Sequence, residues 1–110
     1  FDSISLLSDL FTNLCFHCDT HVPRVFVRDA KVSEVEAYKV IIESGMKYFI
    51  NTGSVGQPRD GDWRACYVIY DMPSSTVTFR RVEYDILATQ DKIRAAGLPD
   101  VLADRLAQGR

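Results

Sequence analysis

Lys47-Tyr48-Phe49-Ile50-Asn51-Thr52-Gly53-Ser54-Val55-Gly56-Gln57-Pro58-Arg59-Asp60-Gly61-Asp62 begins as an apolar strand and ends as a loop carrying three glycines and a proline. Aromatic and β-branched residues over 47–50 suit a buried strand. The glycines that follow let the backbone turn sharply and approach another group closely. The Lys-Ser/Thr pair of a phosphate-cradling P-loop is absent, and the glycine spacing is not that of a dinucleotide fingerprint. Asn51, Ser54, Gln57 and Arg59 remain as donors for a phosphoryl oxygen or for the loop's own carbonyls. Asp60-Gly61 signals a turn, and Arg59, Asp60, Asp62 and Arg64 can pair among themselves at the surface for little energy.

Outward from this loop the chain alternates strand and turn signals. Downstream, residues 65–71 read as a strand, 72–75 as a turn and 76–84 as the returning partner. Asp85 then caps a helix running to Ala96. Gly97 supplies its left-handed end, and Pro99 suits the start of a last helix. Leu98, Val101, Leu102 and Leu106 form the stripe by which that helix should dock. Upstream, 24–28 and 35–42 read as strands and Ser44-Gly45 as a tight turn, while 15–18 is a short strand whose exit loop ends at Pro23. Residues 2–14 place Ile4, Leu7, Leu10, Phe11 and Leu14 at helical spacing. Helix, five or six strands and two helices predict an α/β or α+β fold of sheet with helices packed on it.

The 110 residues fit a single domain, with 46% hydrophobic and 25% charged residues. No apolar run approaches the roughly 20 residues that span a bilayer, so no membrane partner is expected. A net charge of -2 provides no general footprint for nucleic acid, and none is expected as a partner. Three cysteines, an odd number, argue against a closed disulfide framework and for a reducing, cytoplasmic setting. The chain opens on Phe1 and enters its apolar pattern at once, which leads us to expect a fragment or a processed product.

Cys15-Phe16-His17-Cys18-Asp19-Thr20-His21 gathers thiols, imidazoles and a carboxylate. A zinc knuckle would need a second cysteine pair, and only Cys66 remains. A redox dithiol would sit at a helix N-terminus, whereas Cys15 and Cys18 fall in a strand. Buried structural cysteines are therefore expected, with Cys15 and His17 on one face and Phe16 and Cys18 on the other. Asp19 and His21, two residues apart where the strand exits, face the same side if the backbone stays extended through Thr20. They could then meet one ion or bridge two, or serve as a turn with a solvated imidazole.

Taken together, residues 15–27 and 48–71 resemble the C-terminal part of bacterial and archaeal calcineurin-like metallophosphoesterases, in the branch termed diadenosine-tetraphosphatase-like. In that family a strand ends in Gly-His-Thr-His and then Val/Ile-Pro, and Cys18-Asp19-Thr20-His21-Val22-Pro23 stands in those places. The family's Asn-Pro-Gly-Ser-Val-Gly-Gln-Pro-Arg-Asp-Gly-Asp corresponds to residues 51–62, with Thr52 for the proline. Tyr84-Asp85-Ile86, Lys92-Ile93-Arg94 and Ala96-Gly97-Leu98-Pro99 are similar to its closing helices.

The resemblance implies a single partial domain over 1–110, the C-terminal half of a β-sandwich of mixed sheets flanked by helices. It implies two divalent ions (Mn, Fe, Mg or Zn) at the strand ends and hydrolysis of a phosphomonoester or phosphodiester, on a small molecule or a phosphoprotein. His21 takes the position of a ligand to one ion and Asp19 that of a ligand to the other. Asn51, Ser54 and Arg59 would shape the phosphate pocket. Asp19 replaces a histidine and adds negative charge beside a site that must attract an anion, so a weaker Lewis acid is expected there. The family's upstream Asp-x-His, Gly-Asp-x-x-Asp and Gly-Asn-His-Asp/Glu elements have no counterpart here, no catalytic residue is assigned, and the chain alone is expected to be inactive. The alternatives are a non-catalytic homologue serving as a binding or assembly module, and a mononuclear zinc module built on Cys15, Cys18 and His21. Unpaired strand edges would favour self-association.

Overall fold

A computed structural model of the chain describes residues 13–29, 32–35 and 38–110. The helix expected over 2–14 lies outside the described residues except at its end. There Leu14 is not helical but opens strand β1, Leu14–His17, because it pairs with Tyr48 and the Asn13 carbonyl accepts the Tyr48 amide at 2.7 Å.

Two sheets form the body. In the first, β5 (Lys47–Asn51) runs parallel to β1 on one side and antiparallel to β2 (Arg24–Arg28) on the other, and β3 (Val32–Val35) pairs antiparallel with β2. The order is β1-β5-β2-β3. The second sheet has the order β4-β7-β6, from β4 (Lys39–Ile41), β7 (Thr76–Val82) and β6 (Ala65–Asp71), all antiparallel. The expected hairpin is present, closed by a turn in which the Ser75 amide donates to the Met72 carbonyl at 3.1 Å.

The strand expected over 35–42 is instead divided between the sheets. Val35 pairs with Val25 in the first, whereas Val40 pairs with Val77 in the second. A continuous run of strand-forming residues carries no local mark of such a change of partner; only tertiary packing decides it.

Val25, Tyr48 and Ile50 from the first sheet and Val40 and Val77 from the second form one buried cluster, so the sheets pack face to face. Burying each such side chain contributes on the order of 1.5–3 kcal/mol. Strand β5 is buried from Tyr48 to Asn51 without alternation. Its Phe49 points away from this core and is stacked by His17, ring centroids 3.9 Å apart.

Helix α1 (Ile86–Ala95) is capped by Asp85, whose carboxylate accepts the Ala88 amide at 3.0 Å, and it ends at Ala96 and Gly97. Helix α2 (Asp100–Ala107) follows Pro99 and packs against it; buried Gln90 donates to the Ala103 carbonyl at 2.9 Å. The docking stripe differs from the expected one. Leu106 and Ala103 are buried, while Leu98 and Val101 are 49% and 61% exposed. Ala103 has almost no side chain, which lets α1 come close enough for that hydrogen bond and rotates the contact face toward it. The observed architecture is the expected mixture of sheets with helices.

Candidate functional site

Because β1 and β5 are parallel neighbours, His17 opposite Asn51, the loops that leave their carboxyl ends emerge side by side. Ligand sites favour this position in sheets with parallel strands. The loops are joined directly. Thr52 donates its amide to the His17 carbonyl at 2.8 Å, and buried Asn51 donates its Nδ2 to Thr20 Oγ1 at 2.7 Å while its Oδ1 accepts the Gly53 amide at 3.0 Å. Asn51 is thus a tie between the loops, its carboxamide occupied on both sides.

The backbone through Thr20 does not stay extended, so the condition under which Asp19 and His21 would face the same side is not met. The His21 amide donates to the Cys18 carbonyl at 3.2 Å, closing a tight turn, and His21 takes a left-handed φ of 59°. A non-glycine residue in that region carries a cost of about 1–2 kcal/mol and persists when its surroundings hold it there. Asp19 and His21 consequently go different ways. The Asp19 carboxylate turns back onto its own strand and accepts from His17 Nδ1 at 2.5 Å; this hydrogen bond holds its pKa below the ordinary value.

His21 reaches forward instead. Its Nδ1 lies 2.9 Å from the Gln57 carbonyl oxygen, and its own carbonyl accepts the Arg59 amide at 3.1 Å. A carbonyl can only accept, so Nδ1 carries the proton, and in the neutral imidazole the lone pair is then on Nε2. A backbone carbonyl on the far ring nitrogen is the kind of contact that orients a metal-ligating imidazole. Gln57 is placed in turn by its amide's hydrogen bond to Ser54 Oγ at 2.9 Å.

His21 lines a cleft of about 370 Å3 together with Cys18, Thr52, Ser54, Cys66 and Tyr67. Of the residues expected from sequence, His21 and Ser54 are brought together here. Asp19 is engaged with His17, Asn51 lies beneath the loops, and Arg59 lines another cleft, against α2. The burial expected of Cys15 and Cys18 is not found: Cys15 is half-buried, and Cys18 is exposed because it begins the turn and not the strand, while the buried cysteine is Cys66, whose thiol burial pushes up. Cys66 sits directly under Gly53. A Cβ there would lie 2.8 Å from the sulfur, and the φ of 77° is itself left-handed, so glycine is required. Among the described residues, no group of three or more His, Cys, Asp or Glu could hold a metal ion, which removes the support for a zinc module on Cys15, Cys18 and His21.

The far half of the loop is tied to the second sheet and to α2. Arg64 grips Asp62 with two bonds of 3.1 and 2.8 Å, and Arg81 of β7 pairs with Asp60. Arg64 is the main reason that the Asp62 pKa falls to about 2. Gln57 Nε2 donates to the Arg110 carbonyl at 3.1 Å, and the Gly61 amide to that of Gly109 at 3.0 Å. Sequence reasoning missed the Gln57 carbonyl because a backbone acceptor has no side-chain signature. The His17–Asp19 pair did have a signal, since residues two apart along a strand share a face.

No family model matches the chain. Over 106 residues, 94% of its length, it is 39% identical to an uncharacterized protein of Methanocaldococcus jannaschii, of which it spans 43%. Its structure is similar, with a TM-score of 0.83 and 40% identity, to the crystal structure of a metallophosphoesterase from Sphaerobacter thermophilus, covering 98% of this chain and 46% of that one. The chain therefore spans less than half the length of either relative. No helix among the described residues is long and apolar enough to cross a membrane. Across its described residues this chain has the fold of part of a metallophosphoesterase, an α+β pair of sheets with helices.

Proposed function

We propose that the chain is the C-terminal part of a calcineurin-like phosphoesterase domain, and that His21 is one ligand of a divalent-metal site completed by residues outside it. The observation that carries this reading is the bond from His21 Nδ1 to the Gln57 carbonyl, which presents Nε2 as a donor at the carboxyl end of a parallel strand pair. An imidazole so held suits zinc, iron or manganese. Bound divalent ions supply Lewis acidity toward phosphoryl oxygens in such sites. The described residues fit one ligand position and not a pair of ions, and the proposed site is completed from outside them.

Around that position the chain's own groups have distinct tasks. Ser54 shares the cleft with His21 and can donate to a phosphate ester, a phosphomonoester or phosphodiester. Asn51 acts beneath, holding the turn that carries Thr20 and the loop that carries Gly53 in one register. The His17–Asp19 bond favours a second reading, a non-catalytic homologue: the carboxylate at the position of the resembled family's histidine is already committed within the chain.

Metal content and hydrolysis of a chromogenic phosphodiester, measured on the 110-residue chain and on a fusion joining it behind the remaining part of the Sphaerobacter thermophilus protein, separate the two. Hydrolysis by the fusion alone, abolished in His21→Ala, is the expected outcome. A fusion that binds metal and hydrolyses equally well with His21→Ala excludes the proposal; one that folds but binds no metal supports the non-catalytic reading.

A further inference from the structure

Between the far half of the 51–62 loop and α2 lies a cleft of about 480 Å3 lined by Arg59, Val101, Asp104, Arg105, Gln108 and Arg110. It shares no lining residue with the cleft of His21. Three guanidinium groups border it in a chain whose net charge is -2. Among the described residues none of the three has a carboxylate partner, although Arg64, Arg81 and Arg94 all do. Among the described residues the single carboxylate side chain on its wall, Asp104, is held by Arg94 at 2.7 Å. The cleft is thus left positive where the chain as a whole is not.

We propose that this cleft binds a phosphate-type oxyanion. Arg105 provides a second, independent indication: its Nε atom is buried and has no hydrogen-bond partner among the described residues. Buried donors are almost always matched, and an orphaned one marks a place where an acceptor belongs. Guanidinium forks match the oxygen geometry of phosphate, and bonds between two charged groups are the strong ones. The walls are also set in advance. Gln57 accepts from Arg59 Nη2 at 3.3 Å through Oε1 and donates to the Arg110 carbonyl at 3.1 Å through Nε2, so one side chain fixes both sides of the cleft. Preorganisation of this kind reduces the ordering cost of binding. Since the volume exceeds that of the bare ion, a phosphoryl group attached to a larger body also fits. The site stands whether or not His21 holds a metal.

The test titrates the isotope-labelled 110-residue chain with inorganic phosphate against sodium chloride at equal ionic strength, following backbone amides and arginine Nε–H signals by NMR. Saturable shifts at Arg59, Arg105 and Gln108 are expected with phosphate and not with chloride. Arg105→Gln and Arg59→Gln should each weaken binding by roughly tenfold, the loss of one charge-assisted contact. Arg105→Lys, which keeps the charge but not the fork, should fall between, and Arg80→Gln, on the exposed face of β7, should leave binding unchanged. If Arg105→Gln loses its native signal dispersion, the exposed Arg59→Gln variant decides. Shifts that do not saturate, that chloride reproduces, or that persist unchanged in Arg59→Gln overturn the proposal.

Discussion

The turn over 18–21 and the loop over 51–62 leave neighbouring parallel strands at the same end of one sheet, yet they are secured in opposite ways. The loop is anchored in several directions: to the second sheet through Arg81, to β6 through the Cys66 amide on the Ser54 carbonyl, and to α2 through Gly109 and Arg110. The turn has one backbone bond closing on itself and the Asp19–His17 bond back to its own strand, and otherwise leans on the loop, through Asn51, Gln57 and Arg59. The position of His21 is therefore borrowed: a strained φ is held by a segment thirty-six residues away in sequence. The turn should fail whenever the loop fails, and the reverse should not hold.

Gly53→Ala strikes the anchor hardest. The new Cβ meets Cys66 Sγ at 2.8 Å in a left-handed backbone, and a loss of about 2–4 kcal/mol in denaturant unfolding is expected. Asn51→Ala comes next, at about 1–3 kcal/mol, because it leaves Thr20 and the Gly53 amide without their partner. It should also mix the imidazole tautomers of His21, read from ring nitrogen shifts. A tautomer that stayed pure would show that the turn stands by itself and would break the comparison.

Acid sharpens it further. The folded pKa of Asp62 is depressed, so its contribution is fully present above the ordinary carboxylate value of 3.8 and disappears as pH falls toward about 2. Unfolding midpoints measured across that window should drop less in Asp62→Asn than in the parent chain. Asp19 is depressed too, with the same sign, but its carboxylate lies at the surface. Asp19→Asn should accordingly have the smallest effect, a slight flattening of the same acid limb, with native His21 signals unchanged.

Locally determined features were legible in the sequence. The Asp85 cap, the Gly97 end and the 72–75 turn each depend on a few adjacent residues, and each is present. What the sequence hid was choice of partner. Residues 35–42 have strand character throughout, but the division between two sheets is decided by Val25 and Val77, neither of which is nearby in the chain. Likewise the stripe Leu98, Val101, Leu102 and Leu106 has helical periodicity, yet which arc of the helix is covered depended on small Ala103 meeting Gln90. His21 became a candidate through the family resemblance, its type and spacing alone being equally those of a turn; its orientation came from a carbonyl that any residue could have supplied. Asp19 shows the opposite case, since its type suggested a ligand and its neighbour His17 claimed it.

The close seating of Gly109 has a consequence for how this chain can vary. A Cβ on that residue would lie 2.5 Å from the Asp62 amide nitrogen, and its carbonyl is already bound by Gly61. One residue inserted between Leu106 and Gly109 would advance the helix by about 1.5 Å and turn it by roughly 100°, moving glycine off the loop and a side chain onto it. Helix α2 can therefore drift freely in composition along its exposed arc, but its length is measured against the 51–62 loop in the middle of the sequence.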